Sequence, residues 1–132
     1  MAAALLLVLS ACGVSGSSSA DGSASVTSGN TITIGIFEPR TGEHGSSGTQ
    51  ETLGIQYAHS IRPIVTVGGV TYHVILDWQD NQSDKTGSAA AAQKLIADGC
   101  VAVIGGYGSD SCIAAGPYFA DAQVPAIATS CT

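Results

Sequence analysis

The fold is decided by the stretch Val101-Ala-Val-Ile-Gly-Gly106, continued by Tyr107-Gly-Ser-Asp-Ser111 and completed by Val124-Pro-Ala-Ile-Ala-Thr-Ser-Cys-Thr132. It predicts a buried strand, a glycine-rich turn, a helix, a second strand and a polar turn. Parallel strands that alternate with helices end at one edge of a sheet, and open α/β sheets bind small ligands there. The hydroxyls and backbone N–H groups of the two turns therefore predict a site for a small polar molecule.

The N-terminus carries a targeting pattern. Residues 2–9 are apolar, have the length of the h-region of a signal peptide and are too few to span a bilayer. They run into Leu9-Ser-Ala-Cys12, which resembles the lipobox of bacterial lipoproteins and implies cleavage before Cys12 with lipid on that cysteine. No lysine or arginine precedes the apolar run, so we expect residues 1–11 to be a signal peptide whose basic start lies upstream of Met1.

Residues 12–30 are expected to be a lipid anchor and a flexible tether. Serine, glycine, alanine and valine dominate this segment, and such a composition cannot bury a core. Residues 31–132 are about a hundred, which suits one small domain with a modest core. The net charge of −6 with four basic residues disfavours nucleic acid as a partner.

Hydrophobic periodicity after residue 30 predicts alternating strands and helices. The predicted strands are residues 31–37, a hairpin of 65–67 and 70–76, 101–104 and 125–128, and the predicted helices are one around Leu53, Tyr57 and Ile61, 88–97 and 109–121. Turn-rich loops are expected at residues 38–48 and 77–85, and a kink or restart at Pro117. We therefore expect an α/β fold of three layers, a parallel sheet with helices on both faces.

Six stretches follow one another in the order of a known family. They are Ile34-Gly-Ile-Phe-Glu-Pro-Arg-Thr-Gly42, Gly48-Thr-Gln-Glu-Thr-Leu-Gly54, Asp80-Asn-Gln-Ser-Asp84, Lys94-Leu-Ile-Ala-Asp-Gly99, Val103-Ile-Gly105 through Ser109, and Val124-Pro-Ala-Ile127 through Thr132. With them, residues 31–132 resemble the N-terminal half of type I periplasmic solute-binding proteins, in the branched-chain amino acid (leucine/isoleucine/valine) binding family of ABC transporters.

The resemblance implies two α/β lobes joined by hinge strands, with the ligand in the cleft between them. Residues 31–132 match most of the N-terminal lobe and none of the second. The implied function is capture of an amino acid or a related small polar ligand for ABC permease subunits, without catalysis, cofactor or metal. The implied location is extracytoplasmic, in the periplasm or on the outer face of the cell membrane, moored by the lipid on Cys12.

Candidate ligand-binding residues lie in the two turns. Ser109 stands where the third helix is predicted to begin, so it suits an N-cap, and a helix N-terminus attracts an anionic group such as an α-carboxylate. By the resemblance, Ser109, Ser130 and Thr132 bind the α-carboxylate and α-ammonium groups of an amino acid. Tyr107 is a candidate cleft wall, and Ser47 falls where some relatives place an aromatic ligand contact. Plain capping by Ser109 and plain packing of Tyr107 stay open as alternatives.

Three cysteines follow Cys12, and none has the Cys-x-x-Cys spacing of a zinc site. Cys112 and Cys131 both lie just beyond the carboxyl ends of neighbouring predicted strands, which permits a disulfide in an extracytoplasmic protein. Buried free thiols, above all at Cys100, and a cysteine partner outside this chain are the alternatives.

Two other functions stay open. A ligand-sensing receptor ectodomain would use the same fold. An α/β hydrolytic enzyme is disfavoured, because Ser109 lacks the flanking glycines of a Gly-x-Ser-x-Gly elbow and the histidines show no metal-ligand spacing. Asp77, Asp80 and Asp84 lack the closing glutamate of a calcium loop, so we expect them to cap the second helix and solvate its approach loop.

Overall fold

The computed structural model describes residues 30–132, so the predicted signal peptide, Cys12 and the tether up to residue 29 lie outside the described residues. The described elements are, in chain order, β1 (Thr31–Glu38), α1 (Gly45–Ile61), β2 (Ile64–Val67), β3 (Val70–Asp80), α2 (Lys85–Ala97), β4 (Ala102–Ile104), α3 (Ser109–Asp121) and β5 (Ala126–Ile127). Strands and helices alternate as the sequence predicts.

β1 lies at the centre of a sheet with the order β2-β3-β1-β4-β5. It pairs in parallel with β3 and β4, and β5 pairs in parallel with β4. β2 pairs antiparallel with β3 through the turn at Gly68 and Gly69, as the hairpin prediction required. The predicted α/β fold is confirmed, with β2 as an antiparallel edge strand.

One face of the sheet is closed by α2 and α3. The buried side chains on this face include Phe37, Leu95, Val103 and Phe119. The rings of Phe37 and Phe119 meet edge to face with centroids 5.8 Å apart. A Cβ at Gly35 would lie 3.0 Å from side-chain atoms of Leu95 and Val103, so the glycine lets α2 approach the sheet. Burial of these apolar groups is the main hydrophobic contribution to stability.

The other face is covered by α1, which packs less tightly. A cavity of about 450 Å³ lies between helix and sheet, lined mainly by aliphatic side chains such as Ile34 and Ile55. Leu53, Tyr57 and Ile61, whose spacing predicts the helix, are between 61% and 68% exposed. The helix is confirmed, but this apolar stripe faces away from the sheet. The neighbouring face of α1, which carries Ile55, lies against the sheet instead.

The predicted loop at residues 38–48 is shorter than expected. β1 continues to Glu38, and α1 begins at Gly45. Gly45 and Gly48 are buried in the first turn of the helix, and a Cβ at Gly48 would lie 2.1 Å from the carbonyl oxygen of Pro39. The close approach of helix and loop, possible only at glycine, outweighs the low helix propensity of this residue.

The predicted loop at residues 77–85 is also shorter, because parallel pairing with β1 extends β3 to Asp80. Asp84 is the N-cap of α2, where its carboxylate accepts the Gly87 N–H at 2.7 Å, so its expected capping role is confirmed. α3 runs through Pro117 as one helix, so a restart there is wrong. Proline removes one hydrogen bond, and the buried Ala115 and Phe119 on either side hold the helix against the core.

Candidate functional site

Two turns meet beyond the carboxyl ends of β4 and β5. Tyr107 and Ser130 form a parallel bridge that extends the pairing of the two strands. The Ser130 N–H donates to the Gly106 carbonyl at 3.2 Å, and the Gly108 N–H donates to the Ser130 carbonyl at 3.3 Å. Two predicted site residues are thus neighbours. We call residues 105–109 and 128–132 together the carboxyl edge.

Ser109 and Thr132 also meet at the carboxyl edge. The Thr132 N–H donates to Ser109 Oγ at 3.2 Å, and the two hydroxyl oxygens lie 3.2 Å apart. The N-cap of α3 is Gly108, with a φ of 94°, and Ser109 is the first helical residue, so the expectation that Ser109 is the cap is wrong. Glycine takes the cap because it adopts positive φ without strain. The hydroxyl of Ser109 therefore faces Thr132.

Tyr107 packs on the loop that follows β1. Its ring lies 5.2 Å from the ring of His44, tilted by 53°. Ser47 lies in the first turn of α1, not in the predicted loop, and no hydrogen bond within residues 30–132 joins its side chain to the carboxyl edge. It precedes Glu51 by four residues, so the two share a helix face. The structure thus brings together four of the five predicted ligand residues and leaves Ser47 one helical turn away from a residue that reaches the edge.

Cys112 and Cys131 are joined by a disulfide, with their Cα atoms 6.6 Å apart. The bond ties the first turns of α3 to the segment between Ser130 and Thr132. A Cβ at Gly106, which has a φ of 118°, would lie 2.6 Å from Cys112 Sγ, so only glycine leaves room for the bridge. Cys100 is a buried free thiol, and burial, aided by the nearby Asp77 carboxylate, raises its pKa to about 11.

The structure adds two residues that the sequence analysis did not single out, Glu38 and Glu51. Glu38 Oε1 accepts the Gly106 N–H at 3.1 Å and lies within hydrogen-bond distance of the Thr129 hydroxyl, at 2.8 Å. One Glu51 oxygen is hydrogen-bonded to the Thr129 hydroxyl and the other accepts the Ser130 hydroxyl. The two glutamates therefore hold Thr129 and Ser130 of the carboxyl edge. For Glu38 the sequence offers one signal, a carboxyl group between Phe37 and Pro39 at the end of an apolar strand.

Glu38 is unusual for a carboxyl group because it is 1% exposed. Burial raises its pKa to about 7, and the negative charge of Glu51 acts in the same direction, while the hydrogen bond from Thr129 opposes the rise. Glu38 Oε2 is buried without a hydrogen-bond partner. Since ionising a buried carboxyl group is costly when one of its oxygens has no donor, Glu38 holds its proton at pH values where an ordinary glutamate is charged.

Asp80 fixes the loop that follows β1. Its Oδ1 accepts the N–H groups of Arg40 and Gln82, both at 2.8 Å, and its Oδ2 accepts the Thr41 hydroxyl at 2.7 Å. Partial burial acts to raise its pKa, but these donors together lower it below the ordinary value. Asp80 thus ties two loops together, whereas the sequence predicts that it helps to cap α2 and solvates the loop before that helix.

Within residues 30–132, no three histidine, cysteine, aspartate or glutamate side chains converge as they would around a metal ion. The helices of the same part of the chain all lack the combination of length and apolar character needed to cross a membrane. What the carboxyl edge offers a ligand is a set of hydroxyls, backbone N–H groups and carbonyl oxygens.

Comparison with known proteins places the chain in a structural context. A family model described as periplasmic binding protein matches residues 31–132. The structure is similar to that of a leucine-binding protein, LivK, from Thermotoga maritima, with a TM-score of 0.71 and 30% identity over 77% of this chain and 28% of that one. No curated protein sequence matches the chain at a significant level.

Two further solved structures are similar. One is the branched-chain amino acid transporter substrate-binding protein LivJ from Streptococcus pneumoniae in complex with isoleucine, with a TM-score of 0.68 and 26% identity over 78% of this chain and 30% of that one. The other is an ABC transporter solute-binding protein from R. palustris in complex with 4-hydroxybenzoate, with a TM-score of 0.67 and 25% identity over 78% of this chain and 28% of that one. The chain spans between 28% and 30% of the length of these three proteins.

Proposed function

Because the chain belongs to the periplasmic binding protein family, we propose that it forms a ligand-binding lobe of an extracytoplasmic solute-binding protein that serves an ABC transporter. The protein captures a small carboxylate-bearing ligand, an amino acid in the first instance, and does not alter it chemically. One observation carries the proposal. The hydroxyl of Ser109 at the start of α3 meets Thr132 at 3.2 Å, beside the bridge between Tyr107 and Ser130.

The start of α3 suits a carboxylate. The first N–H groups of a helix have no partner within the helix, and the helix dipole adds partial positive charge there. Ser109 Oγ accepts the Thr132 N–H, so its own hydrogen is free for Thr132 Oγ1 or for a ligand oxygen. We assign the ligand carboxylate to Ser109 and the backbone N–H groups that follow it.

The choice of an amino acid rests on the similar solved proteins and on the hydrogen-bond acceptors beside Ser109. LivK is a leucine-binding protein, LivJ was solved with isoleucine, and the R. palustris protein was solved with 4-hydroxybenzoate. Leucine, isoleucine and 4-hydroxybenzoate all carry a carboxylate. Ser130 and Thr132 offer carbonyl and hydroxyl oxygens, which accept hydrogen bonds from an α-ammonium group. A second lobe would then close over the ligand by hinge motion.

Calorimetry on the full-length protein with L-leucine tests this assignment. A charge-assisted hydrogen bond contributes roughly 1.5–3 kcal/mol, so Ser109→Ala should weaken binding by about ten- to a hundred-fold. Ser60→Ala is the matched control, because Ser60 lies near the far end of α1, where its hydroxyl donates to the Tyr57 carbonyl. If Ser109→Ala and Thr132→Ala both bind within about two-fold of the wild type, the assigned site is wrong.

We further propose that the protein is a lipoprotein anchored through Cys12 and that it delivers its ligand to permease subunits in the same membrane. The support is the apolar run of residues 2–9 followed by Leu9-Ser-Ala-Cys12 and a serine-rich and glycine-rich tether. Expression with labelled palmitate should label the wild type and Cys100→Ser, but not Cys12→Ser. Equal label on all three proteins would refute the anchor.

A further inference from the structure

A chain of hydrogen bonds links the buried end of β1 to the proposed ligand site. Glu38 Oε1 lies 2.8 Å from Thr129 Oγ1, and the same hydroxyl is bonded to Glu51 Oε2. The other oxygen of Glu51 accepts the Ser130 hydroxyl. Three elements, β1, α1 and the segment after β5, therefore meet through the one hydroxyl of Thr129.

The two contacts of the Thr129 hydroxyl need more than one hydrogen. The Thr129 hydroxyl has one hydrogen, so it donates to only one of the two carboxyl groups that contact it. The second contact is a hydrogen bond only if that carboxyl group donates its own proton. Glu38 is the proton holder, and its proton lies on Oε1, the oxygen that faces Thr129. Glu38 is 1% exposed and its Oε2 has no donor to stabilise a negative charge, whereas Glu51 is half-buried. The pKa of Glu38, raised by burial to about 7, agrees with this assignment.

We propose that Glu38 is a positioning residue of the ligand site, which in its protonated form holds Thr129 and, through Glu51, sets the orientation of Ser130. The inference rests on the proposed function, since it assigns a role toward the ligand. When Glu38 loses its proton, two carboxylates compete for one hydroxyl hydrogen and repel each other. The segment from Thr129 to Thr132 is then held less firmly, and affinity for the ligand falls.

The charges around Glu38 identify the partner of this titration. α1 contributes the carboxylate of Glu51, and β5 is followed by the neutral hydroxyl of Thr129. β4 is followed by Gly105 and Gly106, which bring backbone groups only. On β3, Asp80 lies opposite Glu38 in register, but its carboxylate is bound by the loop that follows β1. Glu51 is thus the charged group that Glu38 faces.

Calorimetry of the full-length protein with L-leucine across neutral pH tests the inference. Between about pH 5.5 and about pH 8.5, wild-type affinity should fall roughly ten-fold, the factor for a shift of one pKa unit on binding. Glu38→Gln keeps a neutral side chain of the same shape, so it should bind leucine within about two-fold of the wild type at the lower pH, with no dependence on pH. Asp121→Asn, at the far end of α3, is the control and should keep the wild-type slope. A Glu38→Gln protein with the wild-type slope would overturn the inference.

A second readout does not depend on ligand. In the unliganded wild type, the NMR amide signals of Thr129 and Ser130 should titrate near neutral pH, and this titration should vanish in Glu38→Gln. If leucine fails to bind the wild type at every pH but the amide signals titrate, the proposed amino acid ligand is wrong, and the link from Glu38 to Thr129 and Ser130 stands. If the signals do not titrate, or if they titrate while leucine affinity stays flat, the positioning role is wrong.

Discussion

Glu38 and Asp80 lie opposite each other in the register of β1 and β3, yet the protein gives their carboxyl groups opposite properties. Burial raises the pKa of Glu38 to about 7, whereas hydrogen bonds from the loop after β1 hold the pKa of Asp80 below its ordinary value. Glu38 has one backbone donor and the Thr129 hydroxyl, which it shares with the carboxylate of Glu51. Asp80 has three backbone donors and the Thr41 hydroxyl. The charge of a carboxyl group at this edge is set by its donors and burial.

The two carboxyl groups also hold their loops differently. The loop that follows β1, which we call the Asp80 side, is held by an ionised carboxylate, so its hydrogen bonds persist throughout the neutral range. The segment from Thr129 to Thr132, which we call the Glu38 side, is held by a carboxyl group that gains or loses its proton near neutral pH. Because Thr129 and Ser130 belong to the Glu38 side, the proposed ligand site lies on the part of the edge that responds to pH.

The largest effect should come from a substitution that disrupts the Glu38 side directly. A Cβ at Gly105 would lie 2.6 Å from the Phe37 carbonyl oxygen and 2.7 Å from Glu38 Oε1, and Gly105 has a φ of 122°. Gly105→Ala should therefore lower the free energy of unfolding by more than about 3 kcal/mol, measured by denaturant titration.

Gly99→Ala is the control for backbone strain alone. Gly99 has a φ of 76°, and a Cβ there would meet nothing within 4 Å. Gly99→Ala should lower the free energy of unfolding by about 1 kcal/mol. Equal losses of stability in the two variants would mean that the close contacts of the new Cβ with Phe37 and Glu38 contribute nothing.

The next effect is the pH dependence of stability. The folded-state pKa of Glu38 lies at about 7, above the ordinary 4.5, so the unfolded chain releases this proton first and the fold loses stability as pH rises between those values. Glu38→Gln does not ionise. Relative to the wild type, it should therefore gain about 3 kcal/mol between about pH 4.5 and about pH 8.

Urea titrations at the two pH values measure this difference. Asp121→Asn, whose exposed carboxyl group lies at the end of α3, should show no such change. A constant difference between Glu38→Gln and the wild type would show that Glu38 ionises in the folded protein as it does in the unfolded chain.

The smallest effect should come from Asp80→Asn, and its sign with pH is reversed. The lowered pKa of Asp80 means that its contribution is present above its ordinary value of 3.8 and is lost as the pH falls through the folded-state value. The variant should lose about 1–2 kcal/mol near neutral pH, because one acceptor and the charge are removed.

Denaturant titration at neutral and acid pH follows this loss, which should shrink in acid as the wild type itself becomes protonated. Glu43→Gln, in the same exposed loop, should change stability little at either pH. A loss from Asp80→Asn that grows in acid would contradict the assignment.

Much of the site could be predicted because it follows strand ends. Apolar runs followed by glycine and hydroxyl residues predict the turns after β4 and β5, and the structure brings Tyr107, Ser109, Ser130 and Thr132 together there. The glycines around Ser47 predict a loop, but in the structure Gly48 lets α1 pack against Pro39 and the helix begins at Gly45. Local turn propensity cannot predict that contact, since Gly48 and Pro39 are nine positions apart in the sequence.

The sequence by itself determined the order of strands and helices, the α/β class and the segments that carry the candidate site. These features depend on apolar periodicity and on glycine and proline, which act within a few residues. Only the tertiary structure decided the face on which α1 packs and the partners of Glu38 and Asp80. Those properties depend on burial and on donors from distant segments, such as Thr129 at 2.8 Å from Glu38, and no spacing along the chain encodes them.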